Sequence, residues 1–399
     1  MALAEDRRLA QLNDEPSLRL QSQNDAFSFW KLPEDWRESV SNSIDRSRIQ
    51  AEHFLLERYL AFMERRRAER SKSRSGWVDR FASRLSSHLE IRSRARLIFP
   101  RWPCETALID YWRRWLSNTL DELRLTDGWH VAFWPDGARC SIVLTHDIGN
   151  ANDIEQLEKV SDLEESVGFR SAWYLAPEDL EADRRRIDAL RVRGFEFGVR
   201  GIRAATEVSG SQPGFRSPKP SLQRTIREGQ VRGFRTPPGC RGVDWIGGLD
   251  FDFDSSFCDT DPFDLKPGGT CSIFPFFIGG LVELPITLGR DHTLISLLRR
   301  NPLSTWSLKA HWIASAGGMI LLATEAKFLS VESYFAAYQE LLAELSEFDA
   351  WRALPSEVAA WWRHRNRTSL LISQSNPLLA GPDVHRLTLH KLSEAPMFQ

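Results

Sequence analysis

With 399 residues the chain exceeds one ordinary small domain and fits a core of roughly 200–250 residues plus an additional region. Hydrophobic residues at 42% and aromatic residues at 11% suffice to bury a core, which excludes a chiefly disordered chain. A formal charge of −2 provides no overall attraction to nucleic acid or to an anionic membrane, so no nucleic-acid partner is expected.

Residues 1–44 are polar and interrupted by Pro16 and Pro33, and they read as a weakly ordered arm. The opening MALAEDRRLAQLNDEP carries acids where a secretory signal needs an apolar stretch, and no run approaches about 18 apolar residues. A cytoplasmic protein without a transmembrane segment is the expectation. From about 45 to 70, Ile49, Phe54, Leu55, Tyr59, Leu60, Phe62 and Met63 fall near helical spacing. They predict an amphipathic helix that opens a helical region over 45–132. Its arginine-dense continuation, ERRRAERSKSRSGWVDRFASR, reads as a solvated helix face, or as a surface for a protein partner or an acidic surface. Trp112 and Trp115 in YWRRWL have the spacing to pack a helix onto the next domain.

After the turn FWPDG, apolar strands alternate with amphipathic helices, the pattern of an α/β domain with a largely parallel sheet. Candidate strands cover 141–147, 170–176, 195–201, 233–237, 252–257, 281–287 and 318–325. Candidate helices cover 153–168, 181–194, 293–300 and 331–348. Seven strands suit a small β/α barrel, and an open doubly wound sheet is the alternative. Either gathers the polar residues at the carboxyl ends of its strands at one mouth. A domain over 133–370 and an extension over 371–399 follow, the latter with VHRLTLHKL alternating like a short strand. The cysteines Cys104, Cys140, Cys240, Cys258 and Cys271 are odd in number and contain no CxxC pair. That pattern points to reduced thiols rather than a zinc knuckle or a disulfide framework.

The strand ends supply Thr145, His146, Asp147, Arg200, Arg235, Glu283 and Glu325. His146 precedes Asp147 on one strand, so its side chain is expected on the opposite face. Asp250, Asp252 and Asp254 alternate along one strand face like a carboxylate cluster, with a calcium site as the minority reading.

In order and surroundings these residues resemble bacterial polysaccharide deacetylases of carbohydrate esterase family four, over roughly 133 to 365. The resemblance implies a distorted seven-stranded β/α barrel preceded by a helical region, and a hydrolase of carbohydrate metabolism. LTHDIGN keeps the family's general base as Asp147, but Ile148 and Gly149 follow where a second, metal-binding Asp belongs. GFEFGVRGIRAA places Arg200 and Ala204 at the two metal-binding histidines. GFRTPPGCRGVDW resembles the motif that orients the base, with Arg235, Pro237, Asp244 and Trp245 present, and Glu283 lies in a segment similar to the substrate groove. LLATEAKFL carries Glu325 where the family's acid histidine run would stand.

A metal-bound water needs about three ligand side chains, and all three expected ones are missing. Arginine offers donors and a fixed positive charge but no lone pair for a metal. The resemblance therefore implies Asp147, Arg235 and Glu325 as the remaining catalytic-position residues. A pocket of His146, Arg200, Pro237, Asp244, Trp245 and Glu283 surrounds them, with no metal ligands. No cofactor is expected, and zinc only if a site is rebuilt from Asp147 with Asn150, Asp153 or Glu325. The favoured reading is an impaired or inactive homologue that binds a glycan, a glycoconjugate or a protein partner, with Arg200 taking the metal's place and pairing with Asp147, Glu325 or both. The alternatives are an active amidohydrolase or esterase with Asp147 as base, and a scaffold that uses its Arg-rich helices.

Overall fold

In β2 (Cys140–Asp147) all eight residues are buried, and a strand covered on both faces belongs at the centre of a parallel sheet. The computed structural model describes residues 129–201, 231–236, 250–259, 270, 272–373 and 376–391. The expected arm, the amphipathic helix over 45–70 and its arginine-rich continuation lie outside the described residues, as do Ala204, Pro237, Asp244 and Trp245.

β1 (Trp129–Val131) precedes β2. After β2 the chain forms α1 (Gln156–Ser166), β3 (Ser171–Leu175), α2 (Pro177–Ala182), α3 (Arg184–Val192) and β4 (Glu196–Arg200). β5 (Gly233–Arg235), β6 (Phe253–Asp254), β7 (Phe276–Ile278) and β8 (Leu281–Glu283) follow. Next come a wide helical segment at His292–Leu297, α4 (Leu303–Ser315), β9 (Met319–Glu325), α5 (Ala326–Leu329) and α6 (Glu332–Ser346). β10 (Ala350–Arg352), α7 (Pro355–Asn366), β11 (Ser369–Ser373), β12 (Asn376–Ala380) and β13 (Leu389–Lys391) complete the described chain.

The main sheet runs β9, β2, β3, β4, β5, β6, β8, and these seven strands pair in parallel. β7 adds an antiparallel edge to β8. β10 pairs in parallel with Cys140–Ile142, on the lower part of β2. Beyond β8, the Thr287 and Leu288 N–H groups donate to the Leu321 carbonyl of β9, and Thr287 Oγ1 donates to the Met319 carbonyl. The two ends of the sheet thus meet, and the parallel-rich sheet curls into the seven-stranded barrel-like form expected from the alternation of strands and helices. The C-terminal segments are joined to the same body, because β13 pairs antiparallel with β1 and β12 with β11.

Val143, Leu144, Leu321 and Leu322 sit at 0–1% exposure in this centre. Each such side chain contributes about 1.5–3 kcal/mol relative to exposure, which makes the apolar core the main stabilising term. Two glycines let rings cross the sheet. A Cβ on Gly198 would lie 2.6 Å from the Tyr174 ring, and one on Gly233 would lie 2.2 Å from the Phe253 ring. α4 and α7 are helices that the sequence reading left unassigned. Their stripes are blurred because Lys309 in α4 and Arg365 in α7 are buried among the apolar positions. Cys140 and Cys258 are reduced and buried, and burial pushes the Cys140 thiol up to about 12.

Candidate functional site

Cα pairing places Glu325, Asp147 and Tyr174 in one row across β9, β2 and β3, with Arg200 beside Arg235 on β4 and β5. All lie at the carboxyl ends of parallel strands. Arg235 is fully buried and makes four hydrogen bonds. Its Nη1 donates to Asp147 Oδ1 at 2.9 Å, its Nη2 to Thr145 Oγ1 and Ser255 Oγ at 2.9 Å each, and its Nε to the Ser255 carbonyl at 2.8 Å. The guanidinium lies over the Tyr174 ring, 4.2 Å from its centroid. A charge this well bonded can stay buried, whereas an unpaired one could not.

The other oxygen of Asp147 faces two more guanidiniums. Arg200 Nε is 3.7 Å and Arg290 Nη2 3.8 Å from Oδ2, and Arg200 Nη1 donates to the Ile148 carbonyl at 3.1 Å. Burial alone would raise the Asp147 carboxyl. The positive charges of Arg235, Arg200 and Arg290 outweigh it and hold the carboxyl below its ordinary range.

Arg200 does reach Asp147, but Arg235 is the partner in hydrogen-bonding contact. Glu325 pairs with Lys327 Nζ rather than with Arg200. Its backbone N–H donates to Asp291 Oδ2, which shares that carboxylate with the His292 N–H. His146 does not share the pocket. Strand alternation turns it to the opposite face, where Nδ1 is 2.7 Å from Thr324 Oγ1 and Nε2 is 2.7 Å from Glu164 Oε1. Glu164 also accepts the Tyr338 hydroxyl, so this buried group ties β2 to α1 and α6.

Glu283 stands in register with Asp254 on adjacent strands. Glu283 Oε1 accepts the Phe257 N–H, and Asp254 accepts the Ser256 N–H and hydroxyl. Burial raises both carboxyls, and the Asp254 charge raises Glu283 further.

Three features escaped the sequence reading: Arg290, the use of Ser255 as an arginine acceptor, and the Asp254 and Glu283 pair. For Arg290 the available signal was its place just after the strand that ends in LPIT. The other two depend on neighbours brought together from distant parts of the chain.

A divalent cation does not fit this arrangement. Among the described residues no three His, Cys, Asp or Glu side chains converge to hold one. Asp147 is surrounded by donors, and Asp153 Oδ2 is occupied by the Asn150 N–H at 3.1 Å.

No protein-family model matches the chain, and no curated protein matches it. Among solved structures it is similar to PuuE allantoinase, with 12% identity and a TM-score of 0.48, over 59% of this chain and 93% of that one. It is also similar to a protein from Mycobacterium smegmatis assigned as a polysaccharide deacetylase, with 16% identity and a TM-score of 0.46, over 58% of this chain and 92% of that one. A third is a CE4 family pseudoenzyme from Bacillus anthracis, with 13% identity and a TM-score of 0.36, over 56% of this chain and 66% of that one. With these identities and TM-scores the chemistry of the site rests on its own residues. The solved structures to which the chain is similar thus include polysaccharide deacetylases and CE4 family members, pseudoenzymes among them.

Proposed function

We propose that this chain is a deacetylase-like barrel that binds a glycan or glycoconjugate without metal-assisted hydrolysis. The reading is carried by one observation: three guanidiniums surround the Asp147 carboxylate. A base of this kind must have a reachable proton and a carboxylate that can accept it. Asp147 is 5% exposed, bonded to Arg235 on one oxygen and faced by Arg200 and Arg290 on the other. Its depressed proton affinity makes it a poor acceptor. Glu325 is paired with Lys327 rather than facing Asp147.

The test is metal analysis of the purified protein, with thermal-shift titrations of Zn, Co and Ni. Less than about a tenth of an equivalent of metal and no shift are expected, since a ligand that binds only the native state raises stability by mass action. One equivalent of bound metal, or release of acetate from an acetylated oligosaccharide, would overturn this reading.

A further inference from the structure

We propose that Arg200, flanked by Arg290, forms a carboxylate-binding site at the barrel mouth, and that the glycan it takes is acidic, carrying a uronate. This rests on the glycan-binding reading above and names the chemistry that the ligand would have.

The argument begins with geometry. Arg235 is consumed by four hydrogen bonds and serves the interior. Arg200 differs. Its one hydrogen bond goes to the Ile148 carbonyl, its Nε stands 3.7 Å from Asp147, beyond hydrogen-bonding reach, and its side chain is 17% exposed. A guanidinium has five N–H donors in a planar fork that matches a carboxylate edge, so Arg200 has donors to offer at an accessible position. Arg290, 9% exposed and 3.8 Å from the same Asp147 oxygen, adds positive charge on the far side.

Apart from Asp147, the neighbouring described carboxyls do not compete for this fork. Glu325 is held by Lys327, and Asp291 by the N–H groups of Glu325 and His292. Asp254 is held by the Ser256 N–H and hydroxyl, and Glu283 by the Phe257 N–H. Asp153 accepts the Asn150 N–H. Asp147 also selects the kind of anion. A ligand bound to Arg200 lies near a fixed negative charge, which penalises a dianion such as phosphate more than a monoanionic carboxylate.

Gly149 lies beside this guanidinium: a Cβ there would lie 3.4 Å from Arg200 Nη1 and 3.5 Å from Asp153 Oδ2, ordinary contacts. A Gly149→Asp side chain could therefore reach the guanidinium and occupy it from within.

The experiment is calorimetric titration of the full chain with two oligosaccharides of equal length, one containing glucuronate and one containing glucose in its place. The glucuronate form is expected to bind at least about tenfold more tightly, with affinity falling as salt is raised. Arg200→Gln and Gly149→Asp should each remove that preference. The comparison on unaltered protein keeps the test decisive if a variant fails to fold. Equal affinity for the two sugars would overturn the acidic-ligand inference while leaving the glycan reading intact. Binding of neither sugar would overturn both. Inorganic phosphate binding as tightly as the glucuronate sugar would overturn the assignment of a uronate.

Discussion

Asp147 and Arg235 form the hydrogen-bonded pair at the centre of the mouth, with Arg200 and Arg290 facing the other carboxylate oxygen. Arg235 contributes four hydrogen bonds from a fully buried side chain, and Asp147 supplies its counter-charge. Asp147→Asn would leave three guanidiniums facing a neutral amide, and breaking one side of a buried pair costs about 3–5 kcal/mol. Urea denaturation of this variant at pH 7 should show a loss in that range, whereas a loss below about 1 kcal/mol would mean that the arginines are held without the carboxylate. Because the native carboxyl lies below its unfolded value, this contribution is present at neutral pH and is lost as pH falls through the native value. The residue identities here were legible from strand ends in the sequence. Their partnership was implied only by the resemblance, because Arg200 and Arg235 occupy equivalent strand ends and side-chain reach decides which one closes on Asp147.

Among the elements, β4 is informative because its interior column ascends from Glu196 through Gly198 to Arg200. The Tyr174 ring crosses Gly198, separating the arginines at the mouth from Glu196 near the base. Glu196 Oε2 accepts the Ser356 N–H at the first turn of α7, while Oε1 is buried without a hydrogen-bond partner. Burial is the main cause that lifts this carboxyl to about 7, with the Ser356 bonds opposing it. The raised value means that the native state holds the proton while the unfolded chain releases it from its ordinary range upward. Stability from this group is therefore fully present below about pH 4.5 and lost as pH rises to about 7. The gap between 4.5 and about 7 corresponds to roughly 3 kcal/mol, most of it falling between pH 5 and 8, so wild type should lose stability over that window by an amount that Glu196→Gln does not lose. Identical pH dependence in the two proteins would sink the assignment. The strands were readable here because short apolar runs bounded by turn residues mark buried parallel strands. α4 and α7 were not, since a helix buried on several sides loses the one-sided stripe that announces it.

For the molecule as a whole, the question is what binds the ends of the described chain to the barrel. Two arginines near the C-terminal segments both reach back to the first turn of the domain, in different surroundings. Arg386 forms a two-pronged ion pair with Asp136 and lies over Trp351 and Trp361, but Asp136 is 61% and Arg386 35% exposed. Exposed pairs of this kind contribute about 0–1 kcal/mol. Arg365 in α7 is 2% exposed, donates to the carbonyls of Ala132 and Val131, and lies against the Phe133 and Trp362 rings. Removing it would strand two buried carbonyls and empty the space between two rings, at about 3–5 kcal/mol. Arg365→Ala should therefore lower the denaturant midpoint far more than Arg386→Ala, although the two look alike in sequence and touch the same turn. A larger effect at Arg386 would mean that the surface strap of β13 on β1, rather than the buried guanidinium, holds the domain's ends together.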